Sequence, residues 1–476
     1  MNTQQRFSES LSEVRADFID PRRYTSAEFA RLEMERIWTT TWHWACREED
    51  LAQVGDYFVY DIGDQSVILV RTAAAVIEAF HNVCPHRGRR LLSGKGKITR
   101  FHCIFHAWQW DLHGNNTRVL DREQWQGCPD MSDEDVALSR VHVDRWAGFV
   151  FINMSADPEP FAGFLEPAPG DLDFLRMEDM RYGWHKAIKV KCNWKVAQEA
   201  FMESYHVWGT HPQFLQYNDD LNFSESAGRH GRHHWVYELP PGSPSRRLGK
   251  APLSVDELRE NYATLQQVFA DQLGLGRGDG QFTARSLNAA EAAIRGLPSG
   301  TSMEAAMAAC FVAMKQAADD DDAYFPVLPA EQVATVGHDW NIFPNLSVVW
   351  GTDGTLIFRG RPDPDDPYNP DRAILDMVSL LHWGRGKAPA VEIEVLDDWR
   401  RQKALIPKLL QQDLGNVEEV QRGMHSVGLR GLRPNPVQEV QISHFHKVIN
   451  CYLFGDPAEL FGEPAGLCGE PAGLSV

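Results

Sequence analysis

Two mixed sulfur–imidazole pairs constrain this chain more than any other feature. Cys84-Pro85-His86 is followed, after sixteen intervening residues, by Cys103-Ile104-Phe105-His106. Each half of this CxH…CxxH pattern offers one soft thiolate and one neutral imidazole, and turns on a small β scaffold can bring all four together. Such a set closes a tetrahedral zinc site, or divides over a [2Fe-2S] cluster with the cysteines on one iron and the histidines on the other. Structural zinc modules ordinarily pair CxxC with CxxC or HxxxH. Here each pair is mixed and a proline intervenes, which favours the cluster over zinc.

The surrounding texture supports a β scaffold. Runs such as Tyr57-Phe58-Val59-Tyr60 and Ser66-Val67-Ile68-Leu69-Val70, separated by Gly63 and Asp64, read as antiparallel strands, and the same texture returns as a strand over Trp146 to Asn153. Residues 40–158 therefore form one small all-β domain, preceded by a helical segment, 1–39, with Thr25 as N-cap and Glu28 three residues on. Pro158, Pro160, Pro167 and Pro169 punctuate a linker. From 159 to 460 helices and strands mix without a βαβ rhythm. Leu253 to Ala318 reads helical with a capping box at Thr301 and Glu304, while Val348 to Phe358 and Ile374 to Trp383 read as strands. Asp319 to Asp322 reads as a solvated loop, and the Gly- and Pro-rich repeat in 461–476 as a flexible tail.

Composition excludes several classes. A formal charge of −19 over 476 residues argues against nucleic acid and anionic bilayers as partners. No run approaches a membrane span and the start lacks a signal-peptide pattern, so a soluble, cytoplasmic protein is expected. The eight cysteines are too sparse for a disulfide scaffold of this length.

A second constellation lies in the larger domain. Asn193 to His206 reads as one helix, and His206 and His211 lie five apart, about 140° on an ideal helix. They can share a metal only if the helix ends between them, and Pro212 pushes His211 out of the α region. Glu203, one turn before His206, can support its imidazole. Spacing alone leaves two buried histidines at a helix end as an equal alternative. Arg229, His230, Arg232, His233 and His234 form a cluster without a carboxylate or cysteine beside it in sequence, and no metal is expected there.

The first constellation resembles the Rieske cluster motif, with Ala107-Trp108 where that family commonly has Gly-Trp. By that resemblance Cys84 and Cys103 hold one iron and His86 and His106 the other. Asn193-Trp194-Lys195 through Tyr205-His206 and His211 resembles the catalytic domain of Rieske non-haem iron ring-hydroxylating oxygenases, and Asp413 stands in a similar late DxxN context. The resemblance implies an α+β fold: a small all-β Rieske [2Fe-2S] domain ahead of a larger catalytic domain with an antiparallel sheet and surrounding helices, START-like in its helix-grip arrangement. It further implies that His206, His211 and Asp413 bind a mononuclear Fe(II), a facial triad typical of oxygen-activating iron, with Glu203 as a catalytic bridge to the Rieske histidine of a neighbouring subunit. The family often has aspartate at that position, and an asparagine where Ala200 stands.

The implied protein is a terminal oxygenase. It would use O2 to hydroxylate, foremost to cis-dihydroxylate, a small hydrophobic aromatic or polycyclic substrate, the alternative being a monooxygenase or demethylase of an aromatic or alicyclic compound. Electrons from NAD(P)H would arrive through a separate reductase, with or without a ferredoxin, since no flavin or nicotinamide fingerprint occurs. A homotrimer, with or without a small β subunit, is the implied assembly. A Rieske electron carrier fused to a ligand-binding module is the competing reading of a different class.

Overall fold

The computed structural model describes residues 11–128, 131–275, 280–328, 332 and 335–455; the repeated tail lies outside them. The segment expected to be helical opens instead with a hairpin, Val14–Arg15 against Phe18–Ile19, and a single turn, Arg22–Thr25, before helix α1 (Ala27–Glu33), which widens into a π-helical turn over Met34–Trp38 and buries Phe29, Met34, Ile37 and Trp38. Its cap is Ser26 rather than Thr25: the Ser26 hydroxyl accepts from Phe29 N at 3.2 Å. The Thr25 hydroxyl is committed to the Pro21 carbonyl one turn earlier.

Seven strands then form an antiparallel sheet in the order His43–Arg47, Phe149–Asn153, Arg140–Trp146, Val76–His81, Gln65–Ala73, Asp56–Ile62, Lys95–Lys97. Alternation splits the sheet between two cores. Ile68, Val70 and Phe80 join Cys84, Cys103, Trp108 and Trp110 in a small core, while Val67, Leu69 and Ala79 belong to the large core shared with the rest of the molecule. The strand expected over Trp146 to Asn153 is the second half of a hairpin, because Ala147 and Gly148 take φ of 52° and 77° and turn the chain. A three-stranded sheet, Asn116–Arg118, Gln109–Trp110 and Phe101–His102, carries the second cysteine loop. The proline-marked linker is ordered too: Phe161–Leu165 and Ala168–Leu172 are short helices burying Phe161, Phe164 and Leu165.

The larger unit is built on eight strands ordered Asn222–Ala227, His230–Trp235, Asp339–Ile342, Leu346–Trp350, Gly354–Pro362, Ala373–Leu381, Arg181–Val190, Ile393–Leu396. All neighbours are antiparallel except the last pair, which is parallel. Helices α2 (Trp194–Glu199) and α3 (Val207–Thr210) follow the strand Arg181–Val190, and α4 (Val255–Leu273), α5 (Ala284–Arg295) and α6 (Met303–Asp320) form the expected helical stretch. The cap of α6 is Ser302, accepting from Ala305 N, because Thr301 bonds back to Pro298. Asp319 and Asp320 finish α6 rather than forming a loop, and Asp321 is paired with Arg285 and Lys387. The strand expected over Val348 to Phe358 is divided at residues 351–353, where the Asp353 carboxylate is withdrawn to accept from Thr283 N. Helices α7 (Lys408–Met424) and α8 (Val440–Phe454) complete the unit.

Helix α2 is clamped to the sheet. The buried Gln198 amide accepts from Gly360 N at 2.7 Å and donates to Asn341 Oδ1 at 3.0 Å and Ser347 Oγ at 2.6 Å. Beside it Lys195 Nζ, fully buried, meets Glu33 at 2.7 Å, which ties α1 to α2. Gly360 makes the approach possible: a Cβ there would lie 2.3 Å from the Trp194 carbonyl oxygen. Because the obstruction is backbone, Gly360→Ala is expected to cost about 1–3 kcal/mol through forced displacement of α2. Thermal unfolding checks this, and an unchanged melting temperature refutes the clamp.

Candidate metal centres

The two cysteine loops are tight turns, the first following the strand Val76–His81 and the second joining Phe101–His102 to Gln109–Trp110. Gly88 N donates to the Cys84 carbonyl and Cys84 N to the Arg89 carbonyl; in the second loop Ala107 N donates to the Cys103 carbonyl and Cys103 N to the Trp108 carbonyl. Both cysteines are 2% exposed, and burial followed by the neighbouring Cys103 sulfur pushes the Cys84 thiol up. The His86 and His106 rings meet edge to face with centroids 4.5 Å apart, and His86 stacks on Trp108. The Nδ1 atoms of both histidines are buried and take no hydrogen bond among the described residues. A buried ring nitrogen without a partner fits a metal ligand.

The Cys103 sulfur neighbours that of Cys84 and the two imidazoles meet, the pairing that a two-iron cluster needs. Among the described residues, His206, His211 and Asp413 gather three ligand atoms within single-ion distance. Ala107, where the family commonly has glycine, takes φ of 58°, a conformation that glycine adopts without strain. Arg87 lies over the Phe105 ring, and His113 is paired with Glu78 on the surface.

The second centre departs from the expected helix. Helix α2 ends at Glu199 instead of continuing to His206. Phe201 N and Met202 N turn to carbonyls three residues back, the Phe201 ring stacks on Phe358 at 3.7 Å, and the Met202 carbonyl accepts from Gln441 Nε2. Tertiary bonds thus replace the helical ladder. His206 and His211 bracket the single turn of α3, where Thr210 N donates to the His206 carbonyl at 2.8 Å and His211 N to the Val207 carbonyl at 3.0 Å. One turn brings the rings to 5.1 Å between centroids.

Their nitrogens are divided between protein and a shared point. His206 Nδ1 bonds Glu203 Oε1 at 2.7 Å and His211 Nδ1 bonds Gln412 Oε1 at 2.8 Å. Both Nε2 atoms face Asp413 Oδ1, at 3.6 Å for His206 and 2.9 Å for His211, and the three ligand atoms lie within 4.8 Å of one another. Burial disfavours the imidazolium of His206, but Glu203 and then Asp413 outweigh it and push it up to about 9 in the metal-free chain, so a bound metal displaces a proton there. Helix α7 presents Asp413, and Asn416 one turn on donates to Thr210 Oγ1 at 3.0 Å, pinning α3 from across the site. Gln412 was not legible in sequence, being 201 residues from His211. The Arg229–His234 cluster does acquire carboxylates in space, but they pair with it: Glu159 holds Arg229, and Asp171 and Glu225 hold Arg232.

The triad opens on a cavity of about 770 Å³ walled by Phe201, Phe214, Trp235, Phe269, Trp350 and Phe358, among others. Three nearby carboxylates are engaged, Asp219 and Glu238 with Arg246 and Asp220 with Arg247, while Asp339 lies 3.2 Å from a His233 ring that makes no hydrogen bond among the described residues.

Comparison with known proteins agrees with both centres. Residues 41–127 match the Rieske [2Fe-2S] domain, and residues 177–454 match the ring hydroxylating alpha subunit catalytic domain. The chain therefore belongs to the ring-hydroxylating alpha-subunit family of Rieske oxygenases. It is 32% identical over 205 residues to the carnitine monooxygenase oxygenase subunit of Escherichia coli (strain K12), covering 41% of this chain and 52% of that protein. It is 31% identical over 208 residues to the benzene 1,2-dioxygenase alpha subunit of Pseudomonas putida, covering 42% and 46%. The chain spans about half the length of the curated relatives it matches. In fold it is similar to a quaternary ammonium Rieske monooxygenase in complex with L-carnitine, with TM-score 0.59 and 20% identity over 93% of this chain and 97% of the other. It is likewise similar to naphthalene 1,2-dioxygenase with indole bound, with TM-score 0.62 and 15% identity over 95% of each chain. Among the described residues no helix is long and apolar enough to cross a membrane.

Asp413→Ala is expected to lower iron from three to two atoms per chain while the visible absorption of the [2Fe-2S] cluster persists. Loss of colour together with the iron would unseat the assignment of separate centres.

Proposed function

We propose that this chain is the terminal oxygenase of a Rieske monooxygenase acting on an uncharged aromatic or alicyclic compound. The observation that carries the reading is a single-iron donor set, His206, His211 and Asp413, on the wall of a large aromatic cavity. When bound, the two iron centres supply one-electron storage, at Cys84, His86, Cys103 and His106, and dioxygen activation, at the triad. The remaining roles belong to side chains. Glu203 and Gln412 hold each triad imidazole with Nε2 aimed at the shared point. The aromatic wall excludes water and holds an apolar substrate against that point.

The monooxygenase outcome draws support from relatives named as monooxygenases for carnitine and glycine betaine. The uncharged substrate draws support from the apolar, aromatic wall, where Asp219, Glu238 and Asp220 are already paired with Arg246 and Arg247. The balance is one O2, two electrons and two protons giving one oxygen in product and one water; hydroxylation of an O- or N-methyl carbon then releases formaldehyde. Electrons originate from NAD(P)H through a separate reductase, with or without a ferredoxin, and a homotrimer would let Glu203 bridge His206 to a neighbouring subunit's His106, across which the electron passes. The aromatic wall also suits cis-dihydroxylation, the second reading.

Turnover under 18O2 with NADH, a surrogate reductase and a panel of methoxyarenes, polycyclic arenes, alicyclics and quaternary ammonium compounds decides. One labelled atom is expected, in the hydroxylated product or, for a demethylation, in the released formaldehyde trapped as it forms; two labelled atoms in one product make it a dioxygenase, and turnover confined to the ammonium compounds overturns the uncharged substrate. For the bridge, Glu203→Gln is expected to retain both metals but slow single-turnover cluster oxidation by tenfold or more, on the order of what loss of a group supporting a metal ligand costs; full-speed oxidation rejects it.

A further inference from the structure

The cavity wall carries a polar pair, Tyr237 and His338, whose hydrogen-bonding capacity the described residues do not exhaust. Tyr237, just beyond the strand His230–Trp235, lines the cavity with 61% of its surface free, and its hydroxyl lies 3.0 Å from His338 Nε2. Burial, with Asp339 nearby, pushes the phenol up to about 12. The pair is held rigidly. The His338 ring stacks on Trp350 with centroids 5.2 Å apart at 6°, and Trp350 is locked by its Nε1 donating to the Gly337 carbonyl at 2.7 Å. The His338 backbone donates to the His233 carbonyl and accepts from Trp350 N.

The direction of the Tyr237–His338 bond follows from the other ring nitrogen. His338 Nδ1 is buried and has no hydrogen-bond partner among the described residues. Burial also pulls His338 down to about 4, so the ring is neutral and carries one proton. Placing that proton on Nδ1 would leave a buried N–H unsatisfied, which proteins tolerate less readily than an unsatisfied acceptor. The proton therefore sits on Nε2 and is donated to the Tyr237 oxygen. The Tyr237 O–H is then free to donate into the cavity. Two other polar side chains of the wall are directed to protein: Gln281 donates to the Trp350 carbonyl and Ser286 to Asp353.

We propose that Tyr237 is a specificity-determining donor which selects substrates bearing an acceptor oxygen, a carbonyl or ether, at a position remote from the carbon to be oxidised, with His338 as its positioning residue. The inference rests on reading the cavity as the substrate's, and it narrows the uncharged substrate to an oxygenated one. Such a donor in an apolar wall penalises the matching hydrocarbon, because binding it strips water from the hydroxyl without replacing the bond.

The test is direct binding to the metal-loaded protein without reductant, by calorimetry, using 1-tetralone against tetralin and 2-methoxynaphthalene against 2-methylnaphthalene. The wild type is expected to favour the oxygenated member of at least one pair by about three- to tenfold, the range for one neutral hydrogen bond. Tyr237→Phe, which removes only the hydroxyl, is expected to bring that ratio within about twofold. His338→Gln, which can still donate to the phenol, should retain more of the preference than His338→Leu. A ratio unchanged in Tyr237→Phe, or no preference for either oxygenated probe in the wild type, overturns the proposal. Because binding is read without turnover, an oxygenated product formed in the 18O2 experiment alongside an unchanged ratio would reject Tyr237 alone and leave the monooxygenase reading standing.

Discussion

The structure depends on the docking of a six-residue helix, Trp194–Glu199, against the sheet. A helix so short has little stability of its own, so its direction is set by what it touches. Gln198 binds three groups of the sheet at once and Lys195 reaches the buried Glu33. Severing either contact would leave a buried polar group or charge without its partner, which costs more than the bond contributes when made. The chain therefore leaves Glu199 along one path, and His206 lies only seven residues further on.

From that fixed exit the metal site is assembled by division of labour within each imidazole. One nitrogen is held by protein, Glu203 for His206 and Gln412 for His211, and the other is left for the common point near Asp413. The two supporting bonds come from opposite sides of the site, one from the loop before α3 and one from α7, while Asn416 of α7 fastens α3 itself. Charge is confined to this small region. Around it the cavity is aromatic, and carboxylates at its margin are neutralised by Arg246 and Arg247. A low-dielectric wall strengthens electrostatic interactions at the metal and makes each polar group on the wall count in substrate choice.

Legibility in the sequence followed the range of the interactions. The CxH…CxxH pairs were readable because each pair lies within one tight turn, and local backbone bonds, Gly88 to Cys84 and Ala107 to Cys103, close those turns. The α+β class and the separate β scaffold were readable from strand texture. The continuous helix from Asn193 to His206 was misread because its pattern is helical while Phe358 and Gln441, distant in sequence, break it at Glu199. The caps at Thr25 and Thr301 were each displaced by one residue, since a neighbouring serine competed for the same role and each threonine bonded backwards.

By itself the sequence determined which atoms can bind metal, because ligand chemistry resides in residue type, and where two of the ligand pairs fall, because short spacings limit geometry. It determined as well that a small β unit precedes a mixed one. Only the tertiary structure decided that the two imidazoles of the first set meet edge to face, that Asp413 reaches the point shared by His206 and His211, and that Gln412 steers one of those rings. These are contacts between segments up to 207 residues apart (Asp413 minus His206). No local periodicity encodes them, since they arise where helix α7 and the sheet-bound α2 are pressed against one core by apolar burial and the few buried polar groups accept only the partners that satisfy them.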